Sequence, residues 1–207
     1  MTRETPVAHS APDPRSAFSL RNKIARYIWG WVWLLLFRPS PIFAYGWRRF
    51  LLRLFGARIG HRAVVHRSAR VWAPWNLKMA DNSCIGEFVD CYSAAPVILG
   101  NWAVVSQYCL LCNASHNYEA DALPGTQSAI TIGDYAWVAA DVYVAPGVTI
   151  GDGAVVGARS SVHKSIPSWS VVGGNPARVI KTRRWRPLSH SMSNPGIHEH
   201  VPEIEES

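Results

Sequence analysis

Between Ala129 and Pro167 an apolar, mostly branched residue returns at every sixth position, as Ile132, Val138, Val144, Ile150, Val156 and Val162, without a slip. Four residues after each of the first five stand Ala136, Val142, Val148, Ala154 and Ser160, so two positions in six stay small or apolar while the others vary. A period of six matches neither an amphipathic helix, which repeats at 3.6, nor a flat strand, which repeats at 2. It suits a solenoid in which each hexapeptide supplies one short strand and a corner, with three hexapeptides closing one coil of a parallel β-helix. The large residue then fills the coil interior. Pairs such as Gly133-Asp134, Gly151-Asp152 and Gly157-Ala158 are expected at the corners, where glycine tolerates positive φ.

The same period, less regular, reaches back to Ile59 and runs through Val65, Val71 and Leu77, with Ala63 and Ala69 at the small position and Trp75 breaking it. Its phase shifts by two before Ile85, holds through Cys91 and Val97, shifts again at Leu99 and continues to Val105 and Leu111. Each shift predicts a bulged corner or short loop. From about residue 117 to 128 no repeat survives, and a loop expelled from a rigid solenoid is a favoured place for function. The expected organisation is a polar, Pro-rich lead-in over residues 1–17, a helical segment over 18–58, a β-helix over 59–184 and a tail over 185–207.

Within the helical segment, Tyr27 to Phe37 is an uncharged run containing Trp29, Trp31 and Trp33. It is too short to span a bilayer, which takes ~20 residues. Two readings stay open. With Arg21, Lys23, Arg26 and Arg38 around it, the run suits a helix lying in a membrane interface; equally it suits a helix packed on the solenoid end or on a neighbouring subunit. After Pro39-Ser-Pro41, the spacing of Trp47, Leu51 and Phe55, with Phe50 and Leu54 alongside, predicts a second amphipathic helix whose solvent side carries Arg48, Arg49 and Arg53. Gly56 is placed to end it, and the segment is expected to cap the solenoid, hiding otherwise unpaired strands.

The net charge of +7 is uneven: residues 1–58 carry ten Lys/Arg against Glu4 and Asp13, whereas the tail carries Glu199, Glu203, Glu205 and Glu206. A basic balance fits nucleic acid, an anionic membrane or a phosphorylated ligand, but no helix-turn-helix, zinc-finger or RNA-recognition signature supports nucleic acid. The first fifteen residues do not read as a secretory signal, so Cys84, Cys91, Cys109 and Cys112 point to a reducing, cytoplasmic setting. Cys109-Leu-Leu-Cys112 has no second pair, and Cys109 falls at the small inward position; it reads as a core cysteine, not a metal or redox ligand.

Two groups can carry chemistry. His116 stands just before the expelled loop and after Ser115, which falls at the small inward position; an imidazole fixed on a rigid coil is suited to act as a general base. The other histidines lie in the tails (His9, His190, His198, His200) or at outward repeat positions (His61, His66, His163) and read as surface residues. Further on, Lys164, Arg178, Lys181, Arg183 and Arg184 form a basic end that suits a phosphate-bearing ligand or a solvated exit from the solenoid.

The run from Ile130 to Ala158 followed by Val171-Val-Gly-Gly-Asn-Pro-Ala-Arg-Val-Ile180 resembles the hexapeptide-repeat acyltransferases, the group of galactoside, maltose and nodulation-factor acetyltransferases. Phe37-Arg-Pro-Ser-Pro41, Gly46-Trp-Arg-Arg-Phe-Leu-Leu-Arg-Leu-Phe-Gly-Ala57 and Val71-Trp-Ala-Pro-Trp-Asn-Leu77 are closer to the colanic-acid-type exopolysaccharide acetyltransferases. The resemblance, over roughly residues 37–181, implies a left-handed parallel β-helix, a homotrimer with sites between subunits, and acetyl-CoA as co-substrate without a required metal. It makes His116 the base, places Trp137 beside the acetyl-CoA channel and gives the Ala140 N–H the thioester oxyanion. It makes Ala158 a backbone contact to the pantetheine arm and puts Lys164, Arg178 and Lys181 near the nucleotide. The chain departs from the pattern at His163, where a threonine is common, and it lacks the acceptor-binding asparagine of the galactoside group. Asp90 and Tyr92 lie near that place and, with Glu119 in the loop, are the candidates for the acceptor's side; Glu119 or Asp121, or the backbone, are the choices for orienting His116.

The expected function is acetyl transfer from acetyl-CoA to a sugar hydroxyl in surface polysaccharide or glycolipid assembly, in the cytoplasm or at the inner face of the plasma membrane. An N-acetyltransferase on an amino sugar and a non-catalytic trimeric scaffold or membrane-docking solenoid are the alternatives.

Overall fold

The computed structural model describes residues 18–117, 119 and 124–184. The lead-in, residues 118 and 120–123 of the expelled loop with Asp121 among them, and the tail with its histidines lie outside the described residues. Helix α1 (Leu20–Val32) runs into one π-helical turn (Trp33–Phe37) and, after the proline break, helix α2 (Tyr45–Leu54). The solenoid then winds through β1 (Arg58–Ile59), β2 (Val64–Val65), β3 (Arg70–Val71), β4 (Leu77–Met79), β5 (Cys84–Ile85), β6 (Asp90–Tyr92), β7 (Val97–Leu99), β8 (Val104–Val105) and β9 (Leu110–Cys112). A hairpin of β10 (Ala114–His116) and β11 (Gly125–Gln127) interrupts it. Winding resumes through β12 (Ile130–Ile132), β13 (Trp137–Val138), β14 (Tyr143–Val144), β15 (Thr149–Ile150), β16 (Val155–Val156), β17 (Ser161–Val162) and β18 (Ser170–Gly173); β19 (Arg178–Thr182) then folds back antiparallel on β18.

Strands three apart in the winding pair in parallel, giving three faces of a prism. The first holds β1, β4, β7, β12 and β15; the second β2, β5, β8, β13, β16 and β18; the third β3, β6, β9, β14 and β17. This is the left-handed parallel β-helix class, of about six turns. The inward row is fully buried, as at Val65, Ile85, Val105, Val138 and Val156 on the second face, so burial along the axis, not any single helix or sheet, supplies the core.

The phase shifts have one location. Ile59, Met79, Leu99, Ile132 and Ile150 stack in register, so the coils are not all of one length. All the extra residues enter at the corner leading from the third face to the first. The first two insertions, around residues 72–76 and 93–96, tuck Ala73 and Ser93 inside. The third is the hairpin. Ser93 binds both backbone groups of Ala73, accepting from its N–H at 2.9 Å and donating to its carbonyl at 3.0 Å. Asn113, also fully buried, accepts from Ala95 N–H at 3.1 Å and donates to the Ala95 carbonyl. Trp75, which breaks the sequence pattern, lies on the short 3-10 turn of the first insertion and leaves the small inward place to Ala73.

The glycines at the corner between the first and second faces have a different reason from the one expected. Gly133 and Gly151 do not adopt positive φ; that conformation falls two residues later, on Tyr135 at 57° and Gly153 at 63°. What requires glycine is the next coil. A Cβ on Gly133 would lie 2.7 Å from the Asp152 nitrogen, and one on Gly151 2.4 Å from that of Ser168. The aspartates then tie coil to coil: Asp152 Oδ1 accepts from Asp134 N–H at 2.8 Å, and Asp134 Oδ1 from Asn101 N–H at 2.6 Å.

The open end of the solenoid overturns part of the expected amphipathicity of α2, although Leu51 and Phe55 face the core as expected. Backbone N–H groups of the first coil donate to the second, at Met79, Ser83, Ile85, Val89 and Cys91, which leaves the equivalent first-coil carbonyls without a preceding coil. Those five are Ile59, Ala63, Val65, Ala69 and Val71. Each is met by a side chain of the helical segment: Arg53 to Ile59, Arg49 to Ala63, Arg48 to Val65, and the indole N–H groups of Trp33 to Ala69 and Trp29 to Val71, at 2.6–3.1 Å. The arginines therefore face the solenoid, not solvent. Arg48 is 1 % exposed, with Ser40 Oγ and the carbonyls of Pro41 and Ile42 taking its remaining donors. Desolvation draws its pKa below the ordinary arginine value. Leu51 and Leu52 are buried beside it, while Trp47, Phe50 and Leu54 point outward. Buried carbonyls demand donors, and that demand outranks the hydrophobic pattern. Gly56 ends the helix at φ 86°, as expected.

Candidate active site

The hairpin is where the chain first leaves the prism. Ala114 pairs with Gln127, Ser115 with Thr126 and His116 with Gly125, and Asn117 N–H donates to the Pro124 carbonyl at 2.9 Å. Ser115 is consequently not an inward residue; it is exposed on the ladder, and Asn113, two residues earlier, holds the last interior place. His116 stands at the hairpin's far rung, exposed, projecting from the corner between the third and first faces. Glu119 follows it, its N–H held by Asn117 Oδ1 at 3.1 Å.

Two of the three residues suggested for the acceptor lie one coil away. Tyr92 on β6 is paired in register with Cys112, at the foot of the hairpin, and its ring lies 4.9 Å from that of Trp72. Arg26 of α1 covers Trp72 at 4.1 Å, so the hairpin corner is tied to the helical cap. Asp90 sits at the other end of the same strand. Lys164 follows β17 at the hairpin's corner, farther along the axis.

The remaining site residues occupy a different edge. Trp137 points outward from the second face, its indole N–H donating to Ser106 Oγ at 3.0 Å. Ala140 and Ala158 form the corner between the second and third faces, one coil apart, with Gln107 one coil before them. Each precedes a left-handed residue, Tyr108 (62°), Asp141 (60°) or Arg159 (58°), whose N–H donates to the coil before. Among the described residues the N–H groups of Gln107, Ala140 and Ala158 themselves make no backbone bond to a neighbouring coil. The corner thus presents a file of uncommitted donors at about 5 Å spacing. Arg178 and Lys181, both exposed on β19, stand at the end of the second face. Arg183 locks that end by donating to the carbonyls of Tyr135 and Gly153, each at 2.9 Å.

Within one chain, then, Trp137, Ala140, Ala158, Arg178 and Lys181 gather along one edge, and His116, Tyr92 and Lys164 along another, with the third face between. Sequence reasoning missed Asn113, Ser106 and Gln107. Asn113 had a signal, a polar residue twenty positions after Ser93 and forty after Ala73 in an otherwise inward row; the other two act through backbone or a single indole and had none. His163, in place of the threonine, lies with Nε2 2.8 Å from Ser161 Oγ and its ring 5.5 Å from that of Tyr143. The cysteines are all free; Cys109 is buried as expected, with Sγ 2.9 Å from the Ala139 carbonyl.

Residues 129–164 match the family model described as bacterial transferase hexapeptide (six repeats). The chain is 45 % identical over 162 residues, 78 % of its length and 89 % of the relative's, to WcaF of Escherichia coli (strain K12), which is named as a colanic acid biosynthesis acetyltransferase. Among solved structures it is similar to a hexapeptide-repeat acetyltransferase of Vibrio cholerae O1 biovar eltor complexed with acetyl-CoA, with a TM-score of 0.74 and 25 % identity over 82 % of this chain and 92 % of that one. A maltose O-acetyltransferase from Clostridium difficile 630 gives 0.70 and 27 %, over 81 % of this chain and 90 % of the other. The repeat, the prism and these likenesses agree: the chain belongs to the bacterial hexapeptide-repeat acetyltransferases.

Proposed function

We propose that the protein transfers acetyl from acetyl-CoA to a sugar hydroxyl in surface polysaccharide or glycolipid assembly, directly and without an acylated residue. The observation that carries this reading is the division of the site between two edges of one prism. The edge at Gln107, Ala140 and Ala158 offers backbone donors in file, ending at Arg178 and Lys181. That arrangement suits a long amide-bearing arm that terminates in phosphates. The other edge offers His116 on a projecting hairpin. A symmetric trimer brings the two edges of neighbouring chains together, and three equivalent sites result. The relative's name, for colanic acid biosynthesis, and the likeness to a maltose O-acetyltransferase support a sugar acceptor.

In this reading His116 takes the proton of the acceptor hydroxyl, and the resulting alkoxide attacks the thioester carbonyl. The Ala140 N–H donates to the oxyanion of the tetrahedral species. As the carbon–sulfur bond breaks, the proton held by His116 passes to the leaving thiolate. Trp137 flanks the thioester, Lys164 joins the basic groups around the nucleotide, and Asp90, Tyr92 and Glu119 line the acceptor's side.

The test is acetyl-CoA consumption by the full chain against free, nucleotide-linked and lipid-linked sugars. One sugar class should accelerate turnover, and His116→Ala should lower it by about three orders of magnitude with coenzyme A affinity unchanged. Near-normal turnover by His116→Ala would remove the histidine from the mechanism, and no sugar-dependent turnover would overturn the acceptor class.

A further inference from the structure

The helical cap faces the solenoid with its arginines and indoles, and what it turns outward is apolar. On α1, Leu20, Ile24, Tyr27, Ile28 and Trp31 are all exposed, and at ~100° per residue they fall within an arc of about 100° on the side opposite Trp29 and Trp33. Leu34 and Leu35 extend the face through the π-helical turn. On the other arm Phe43 is 82 % exposed, and Trp47, Phe50 and Leu54 follow on α2. The Trp47 indole donates to the Leu36 carbonyl at 3.0 Å, so the two arms form one surface. Scattered apolar residues on a surface need no explanation, but a continuous aromatic and aliphatic face does.

Charge decides what covers it. From residue 18 to residue 80 the chain has twelve Lys/Arg and not one Asp or Glu; the first carboxylate is Asp81. Arg21 and Lys23 flank the apolar arc of α1 on its two sides, and Arg38 closes its end. A second copy of the same face would set these cations against one another. An anionic bilayer offers acyl chains to the apolar arc and headgroup phosphates to its cationic margins, the pattern of a helix lying in an interface. Among the described residues no helix is long and apolar enough to cross a membrane, so the contact is peripheral.

We infer that the outer face of α1, the π-helical turn and α2 is a docking surface for anionic phospholipid, which stands the solenoid on the membrane by its N-terminal end. The three tryptophans of the run divide: Trp29 and Trp33 bind the solenoid, and Trp31 meets lipid. The inference is independent of acetyl transfer, because lipid binding is measured without acetyl-CoA.

The experiment is flotation of the full chain with vesicles of phosphatidylcholine alone or with about one third phosphatidylglycerol, at low and high salt. The protein is expected to float with the anionic vesicles at low salt, less so at high salt, and poorly with phosphatidylcholine alone. Trp31→Glu with Leu35→Glu, and separately Phe43→Glu with Phe50→Glu, should each reduce the floated fraction at least tenfold while keeping the wild-type melting profile. Three results overturn the inference: wild-type protein that stays unbound to anionic vesicles at low salt, paired-glutamate variants that float as well as wild type, or glutamates that leave vesicle binding unchanged but dissociate an oligomer.

Discussion

Replacing Arg48 by methionine keeps the volume of the side chain and removes four hydrogen bonds, those to Val65 O, Ser40 Oγ, Pro41 O and Ile42 O. They are not equivalent. The carbonyls of Pro41 and Ile42 are part-buried and can turn to water, and Ser40 Oγ keeps its own bond to Phe37 O. Val65 O is different: it is buried at the open end of the solenoid, where no preceding coil supplies an N–H. Orphaning such a group costs ~1–3 kcal/mol, and each lost bond to a charged donor ~1.5–3 kcal/mol before water compensates. Against this, methionine avoids burying a guanidinium that has no carboxylate partner among the described residues, and whose desolvation is what lowers its pKa. With one orphaned carbonyl and three partly compensated losses, the bonds outweigh the desolvation, and the net cost is about 2–4 kcal/mol. Arg48→Lys, which keeps the charge but not the fork, should lose about half as much. Urea unfolding of the three proteins at one concentration reads the difference. A methionine variant as stable as wild type, or more stable, would show that desolvation dominates and that the arginine is not what seals this end.

Cys91 and Cys109 should stay silent to a thiol reagent at pH 8 in the folded protein and react after unfolding; burial pushes the first up to about 12, with Asp90 adding, and the second up to about 11. Because both remain protonated in the fold above their ordinary 9.0, stability is intact below pH 9 and falls above it, by about 1.4 kcal/mol per pH unit for each thiol until its folded value is reached; flat stability from pH 8 to 10.5 would contradict this. Asn113→Leu removes both bonds to Ala95 at the foot of the hairpin and should cost ~2–4 kcal/mol. Its turnover should fall more than tenfold with KM for acetyl-CoA unchanged, since the amide file lies on another edge; an equal rise in KM would argue against a positioning role.

The class of fold was legible because the inward row is a one-dimensional pattern: Val138, Val144 and Ile150 take one face each, and Val156 returns to stack on Val138. Cys109 was legible for the same reason. The helical cap was not. Pattern reading sends Arg48 to water and Trp47 to the core, and nothing in residues 42–55 alone reveals five carbonyls waiting on the first coil. The corner glycines were placed correctly and explained wrongly, because the collision that selects them is with Asp152 or Ser168 of the next coil, too distant in sequence to read as local. His116 was proposed from its place before the loop. The hairpin that carries it was not, since Ser115 keeps the hexapeptide phase even though the chain has already left the prism at Asn113.

The central claim is that a working site takes His116 from one chain and the Ala140 edge from another. Co-expression of His116→Ala with Ala140→Pro, each inactive alone, tests it most directly. Proline suits the position before a left-handed residue in a turn and removes the N–H. Random mixing should restore about one quarter of wild-type turnover, because one site in four then pairs an intact histidine with an intact amide from its neighbour. Mixed assemblies as inactive as their parents would mean that both groups belong to the same chain, and the shared site would have to be abandoned.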